Sequence, residues 1–279
     1  MEINILKNYA KLKPSLFILP ILLLAVIAAL LYSRGALGVN QYIQIQKASF
    51  LFINHSLSQY PHLQYNLTQM GDASIFLSFL GLFIVFAPKI WESLLSGLLV
   101  SCAFSKLLKY IFAVPRPAVV LDHHDFVIVG KTLTGHNSLP SGHSVTIFTI
   151  LAVLLFSLMP QKPKHKVWWS FFIIIAGLIL AFTRVGLGAH YPLDVIIGSI
   201  IGYISGLAGI FISRKYRIWA WIGDKKYYPI IVLFFLVCCI CAINKIIDEN
   251  LIIFYLSLAS LVVTLFKVIH VYAKGYTKN

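Results

Sequence analysis

Thr134–Ser144 reads TGHNSLPSGHS, and the apolar run VTIFTILAVLLF follows it directly over residues 145–156. The polar stretch holds two histidines, one proline, two glycines and four hydroxyl side chains. Glycine, proline and serine together indicate a turn, and a long apolar run after the turn indicates the start of an embedded helix. The sequence therefore predicts a polar turn at the end of a membrane span. The two histidines raise the question whether this turn also carries chemistry.

Apolar runs of similar character recur along the whole chain. Of its 279 residues, 59% are hydrophobic and 11% are charged, whereas about a quarter of the residues in a soluble domain are charged. A helix needs about 20 apolar residues to cross a bilayer. We predict an all-α, polytopic membrane helix bundle that forms a single membrane domain over residues 1–279. The eight candidate spans are residues 14–33, 73–91, 93–113, 141–160, 168–184, 194–213, 228–246 and 250–271.

The basic residues predict an orientation for these spans. Lysine and arginine are enriched in cytoplasmic loops, and short basic segments such as 162–166 and 214–217 follow alternate spans. If both termini are cytoplasmic, these segments lie inside, and the polar segments 114–140 and 185–193 face outward. Because topology accounts for the net charge of +14, we expect no nucleic-acid partner.

Ionisable residues at span ends fall into three groups on the predicted outer side. Such residues are costly near a membrane and each suggests a functional site. The groups are Lys109 and Arg116 in KYIFAVPRP, His143 in PSGHS, and Arg184, His190 and Asp194 in RVGLGAHYPLD. Three cations with a single acid predict an anion-binding site, and guanidinium groups match phosphate geometry. Ser141 and Gly142 stand at a helix start, where backbone N–H groups and the helix dipole favour a phosphate.

His190 and Asp194 are four residues apart and form a candidate nucleophile with its carboxylate. If the sixth span begins near Pro192, the two side chains lie on one face. Asp194 would then accept a hydrogen bond from one imidazole nitrogen and leave the other free to attack. His143 remains available as the acid that protonates a leaving oxygen.

The ordered motifs K-x6-R-P, P-S-G-H and R-x5-H-x3-D resemble the signature of the type 2 phosphatidic acid phosphatase superfamily, a family of membrane lipid-phosphate phosphatases. The resemblance covers about residues 73–213. Thr183 precedes Arg184 where the family usually has serine, a change that keeps the hydroxyl. The family usually has six spans, so the resemblance implies a catalytic core over about 73–213 and two added C-terminal spans over about 228–271.

The resemblance also implies the chemistry: metal-independent hydrolysis without a cofactor, in which His190 forms a phosphohistidine, Asp194 supports it and His143 protonates the leaving group. Lys109, Arg116, Ser141, Gly142 and Arg184 would hold the phosphate oxygens. The implied substrate is a lipid phosphate or diphosphate such as undecaprenyl diphosphate, phosphatidic acid, phosphatidylglycerophosphate or a lipid A. A bacterial inner membrane with the site facing the periplasm or exterior is the expected location, and membrane lipids are the expected surroundings.

Two other functions stay open. A lipid phosphotransferase would use the same residues and pass the phosphoryl group from His190 to a second lipid. A transporter or anion channel would show inverted repeats and charges near the membrane midplane, whereas here the charges gather at one face and no repeat is visible.

Three further polar features of the sequence are expected to lie at the surface without a catalytic role. His136 is expected to be a polar loop residue rather than a phosphate ligand. The cluster His123, His124 and Asp125 is expected to be a solvated loop, because adjacent positions make a poor zinc site. Lys106 is expected to extend its amine to the membrane interface.

Overall fold

The computed structural model describes residues 1–276, and the regular secondary structure of these residues is all helical, with no β-strand among them. The predicted all-α helix bundle is confirmed. The helices are α1 (Glu2–Ala10), α2 (Ile18–Ser33), α3 (Val39–Leu57), α4 (Pro61–Thr68), α5 (Ala73–Phe79), α6 (Phe83–Phe86), α7 (Pro88–Phe112), α8 (Pro117–Val120), α9 (Gly142–Ser157), α10 (Pro163–Gly186), α11 (Pro192–Lys215), α12 (Tyr228–Glu249) and α13 (Ile252–Tyr276).

Six helical segments within the described residues are long and apolar enough to cross a membrane. They are Pro14–Ser33, Pro88–Val120, Pro163–Gly186, Pro192–Lys215, Lys225–Glu249 and Ile252–Lys274. The chain is therefore a multi-pass membrane protein. The last two segments coincide with the two predicted C-terminal spans. Helix α9, over the predicted span 141–160, is apolar but has only 16 residues.

The predicted span 73–91 is wrong as a single helix. The chain forms two short helices there, α5 and α6, and α7 begins at Pro88 rather than at residue 93. Pro88 has no N–H to donate and restricts the residue before it, so Ala87 leaves helical geometry with φ −157° and ψ 61°. This broken segment still runs from one end of the bundle to the other. Gly71 lies against His143, at the start of α9, whereas Lys89 Nζ donates to the carbonyl of Ser213, at the end of α11, at 2.6 Å.

Helix α11 lies at the centre and packs closely on α7 and α9. A Cβ at Gly206 would overlap the Thr149 carbonyl of α9, and a Cβ at Gly209 would overlap the backbone of Gly97 in α7. Small residues permit such close backbone contact in membrane bundles, where dispersion and interhelical hydrogen bonds replace the hydrophobic effect. This packing sets the starts of α9 and α11 side by side at one end of the bundle.

The opposite end gathers basic residues that the sequence places on the cytoplasmic side. Lys11 Nζ donates to Gln161 at 3.1 Å, and Arg214 Nη1 donates to the Leu12 carbonyl at 3.2 Å. Lys89 lies at this end as well, with its Nζ 2.6 Å from Glu92 Oε2. The basic residues therefore gather at the end of the bundle opposite the starts of α9 and α11.

Candidate active site

Four helix ends meet where the three polar groups of the sequence converge. Lys109 is in the last turn of α7, Arg184 in the last turn of α10, and His190 lies in the tight turn between α10 and α11. Gly188 makes that turn possible, since its φ is +73° and a Cβ would overlap Phe126 and the Val127 carbonyl. As predicted, α11 begins at Pro192.

His190 is 1% exposed, and its two ring nitrogens have different neighbours. Nε2 lies 3.3 Å from Arg116 Nη1. A guanidinium only donates, so Nε2 is the unprotonated nitrogen and Nδ1 carries the hydrogen of the neutral ring. Burial, followed by the charges of Arg116 and Arg184, holds the pKa of His190 well below its usual value. The ring is thus neutral, with a lone pair directed toward the cations.

Asp194 is fully buried and accepts three hydrogen bonds. Its Oδ2 receives the Ser138 hydroxyl at 2.6 Å and the Tyr191 N–H at 3.0 Å, and its Oδ1 receives the Tyr42 hydroxyl at 2.7 Å. His190 Nδ1 is 3.6 Å from Oδ2, longer than a hydrogen bond, and 3.4 Å from Ser138 Oγ. The predicted direct bond between His190 and Asp194 is therefore replaced by an arrangement in which Ser138 contacts both groups.

Helix α3 contributes two buried side chains to the start of α11. Tyr42 is 4% exposed, and burial together with the charge of Asp194 raises the pKa of its hydroxyl well above the usual value, so it stays a donor. Gln46 Oε1 accepts the Leu193 N–H at 3.0 Å, and its Nε2 donates to the Tyr42 carbonyl at 2.9 Å. Helix α3 thus orders the carboxylate that supports His190.

The three predicted cations line the same end of the bundle. Arg116 is fixed by Asn137 Oδ1 at 2.7 Å and by the Ala189 carbonyl at 3.2 Å. Arg184 Nη1 donates to Thr68 Oγ1 at 3.1 Å, while its buried Nε has no hydrogen-bond acceptor within the described part of the chain. A buried donor without an acceptor is costly and suits a bound anion.

Ser141 and Gly142 of the PSGH segment make different contacts. Ser141 Oγ accepts from the hydroxyl of Ser144 at 2.9 Å and from its N–H at 3.4 Å, and the Ser141 N–H donates to the Asp194 carbonyl at 3.0 Å. Ser141 therefore caps α9 and ties it to α11. Gly142 faces the Lys109 amine, since a Cβ there would lie 3.5 Å from Lys109 Nζ.

Two cavities adjoin these groups. One of about 170 Å³ is lined by His143, Arg184, Thr68 and Tyr65, among others. A larger, half-open one of about 420 Å³ is lined by apolar side chains of α2, α3, α7 and α11, and by Tyr42 and Leu139. The cavity lined by His143 and Arg184 is therefore separate from the apolar one, which reaches the site at Tyr42.

Residues 90–219 match the family model described as PAP2 superfamily. Over these residues the chain is similar to that superfamily. The matched segment holds all eight predicted site residues and Ser138, but it excludes Tyr42, Thr68 and the helices α12 and α13.

Named relatives are similar to parts of the chain. The undecaprenyl-diphosphatase of Sulfolobus acidocaldarius is 26% identical over 65% of this chain and 84% of its own length. Escherichia coli YbjG is 30% identical over 47% of this chain and 58% of its own length. The lipid A 1-phosphatase of Rhizobium johnstonii is 34% identical over 50% of this chain and 51% of its own length. The chain thus covers less than two thirds of the last two proteins.

The other polar residues around the PAP2 segment keep surface positions. His136 and Lys106 are exposed. His123 Nε2 lies 2.9 Å from the Ala118 carbonyl, and Asp125 pairs with Lys47 at 3.8 Å. Sequence reasoning missed Ser138, Tyr42 and Thr68. Ser138 could have been noticed inside the polar stretch, but no local signal marks the other two.

Proposed function

We propose that the chain is a metal-independent phosphatase that hydrolyses a lipid phosphate or diphosphate through a phosphohistidine on His190. One observation carries the proposal: a buried, neutral His190 directs its Nε2 lone pair toward Arg116 at 3.3 Å, beside an unpartnered donor of Arg184. A neutral imidazole next to anion-binding donors is the arrangement that attack on phosphorus requires. The relatives named as phosphatases and diphosphatases favour the same reaction.

The first step would transfer the phosphoryl group to the protein. His190 Nε2 attacks phosphorus, the bond from phosphorus to the leaving oxygen breaks, and its electron pair goes to that oxygen. His143 donates its proton to the leaving oxygen. Asp194 and Ser138 stabilise the positive charge that develops on the His190 ring, while Lys109, Arg116 and Arg184 hold the three non-bridging oxygens.

The second step would restore the enzyme. The oxygen of a water molecule attacks phosphorus, the bond from phosphorus to Nε2 breaks, and His143 takes a proton from the water. Inorganic phosphate leaves, and both histidines return to their starting protonation states. If a lipid hydroxyl replaced the water, the same site would act as a phosphotransferase.

The substrate class follows from the neighbouring cavity and from the relatives. An apolar cavity of about 420 Å³ beside the site suits a hydrocarbon chain. The names of the relatives favour undecaprenyl diphosphate or a lipid A over other lipid phosphates. The basic end of the bundle supports a cytoplasmic position for Lys89 and both termini, and therefore a site facing the exterior or periplasm of a bacterial inner membrane.

The test is release of inorganic phosphate from a panel of lipid phosphates by the purified chain in detergent with EDTA present. We expect turnover that EDTA does not remove, and acid-labile labelling of the protein by a radiolabelled substrate. The label should be lost in His190→Gln. Loss of all turnover on chelation would contradict the metal-independent reaction, and recovery of the label in a second lipid would identify a phosphotransferase.

A further inference from the structure

One wall of the candidate site comes from outside the PAP2 segment. Thr68, at the end of α4, accepts the Arg184 hydrogen bond at 3.1 Å. Gly71 lies directly on the His143 ring, and a Cβ at that position would overlap the imidazole. Residues 65–72, the site wall, therefore contact both the proposed acid and one of the phosphate-binding cations.

The C-terminal helices α12 and α13 hold this wall by polar contacts. Lys245 Nζ of α12 lies 3.0 Å from Asp72 Oδ2, at the end of the site wall. The Ile253 N–H, in the first turn of α13, donates to Asn66 Oδ1 at 3.2 Å. A further contact stabilises α5, which follows the wall, because the Ser257 hydroxyl donates to Ser78 Oγ at 2.7 Å.

Apolar packing accompanies these polar contacts. Phe254 is fully buried and forms a hydrophobic cluster with Ile75 and Leu251. Tyr65 and Met70 of the site wall pack against this Phe254 cluster. Lys245 also lies over the Phe254 ring, with Nζ 5.3 Å from the ring centroid. The site wall is thus bound to the C-terminal helices at both of its ends and at Met70.

We propose that α12 and α13 form a positioning element for the reaction: through Lys245 and the Phe254 cluster they hold Gly71 against His143 and Thr68 against Arg184. This inference depends on the proposed function for its kinetic consequences. Small displacements of an acid or a phosphate ligand slow a reaction more than they weaken binding, because the transition state demands the tighter geometry.

The first test replaces Lys245 with methionine in the full chain. Lys245→Met keeps the length of the side chain and removes the charge that pairs with Asp72. Since the pair is about one third exposed, we expect a modest effect: kcat lower by about fivefold, with KM changed by less than about twofold. Lys245→Arg should restore most of kcat. Lys267→Met, the same change at an exposed position of α13, is the matched control and should behave as the wild type.

A double-mutant cycle tests whether the ion pair itself matters. Asp72→Asn keeps the cap of α5 that Asp72 makes with the Ser74 N–H at 2.9 Å, but it removes the charge. The double variant Asp72→Asn/Lys245→Met should be no slower than either single variant. Multiplicative losses would show that Lys245 acts through another contact and would overturn the assignment of this pair.

Hydrogen exchange separates the inference from the proposed function. In Lys245→Met, amides of residues 65–72 should exchange faster than in the wild type, whether or not the chain releases phosphate. Unchanged exchange there together with unchanged kcat would overturn the inference, whereas absent turnover in the wild type would overturn the proposed function alone. If Lys245→Met does not fold, Asn66→Ala removes the second polar contact of the wall and carries the same expectations.

Discussion

The two histidines of the candidate site differ in how the chain surrounds them. His190 is buried among polar neighbours, with Arg116 at one nitrogen and Ser138 and Asp194 near the other. The His143 imidazole has no hydrogen-bond partner within the described residues and is positioned by contact with Gly71. A nucleophile needs one fixed tautomer and a directed lone pair, whereas an acid must take and release a proton. The difference therefore matches the two roles proposed for them.

The largest effect should come from His190→Gln. Without the imidazole no phosphohistidine can form, and loss of a nucleophile commonly costs about a factor of ten thousand or more. Phosphate release and protein labelling should both disappear. The matched control is His165→Gln, an exposed position in α10, which should keep wild-type turnover. Residual turnover above about 1% of the wild type would show that another group attacks phosphorus.

His143→Gln should lower kcat by about a hundredfold to ten-thousandfold on a lipid phosphate, as expected for loss of a general acid. The loss should shrink markedly on an aryl phosphate such as 4-nitrophenyl phosphate, because that leaving group departs without protonation. Steady-state rates on both substrates test this comparison. Equal losses on the two substrates would assign His143 to phosphate binding instead.

His136 supplies the control within the same stretch of sequence. It is exposed and lies seven residues before His143. His136→Ala should therefore change kcat by less than about twofold on either substrate. A loss comparable to that of His143→Gln would place the acid in the loop before α9.

Tyr42→Phe should have an intermediate effect that sharpens the contrast between the two histidines. It removes a 2.7 Å hydrogen bond to the buried Asp194, and such bonds to charged groups contribute about 1.5–3 kcal/mol. We expect kcat about tenfold lower, because Asp194 then supports the His190 ring less well. Tyr32→Phe, at an exposed residue of α2, is the control. An unchanged kcat would show that Ser138 and Tyr191 suffice to order the carboxylate.

The local chemistry of the site could be predicted from the sequence. Pro192 starts α11, and the four-residue spacing then brings His190 beside Asp194. Ser141 likewise caps α9, as a serine before an apolar run indicates. These relations depend only on residues that are close along the chain.

The remaining features depend on contacts between distant segments. Tyr42 reaches Asp194 across 152 positions, and nothing near Tyr42 in the sequence indicates that partner. The broken segment of α5 and α6 was read as one span because hydropathy summed over a window does not register a local break. Pro88 was the available signal, since proline cannot continue a helix from the preceding turn.

The smallest expected effect is the response of the wild type to acid. Only neutral His190 can attack, and burial together with Arg116 and Arg184 lowers its pKa. A group with a lowered pKa stays neutral as the pH falls below the usual histidine value of about 6.5. Between pH 7.5 and 5.5 an ordinary histidine would lose about nine-tenths of its neutral form, whereas kcat/KM here should fall by less than about twofold. The measurement is the pH profile of kcat/KM. The profile is corrected for the ionisation of the substrate phosphate, which is titrated separately. A tenfold fall centred near pH 6.5 would mean that His190 is solvated in the working enzyme.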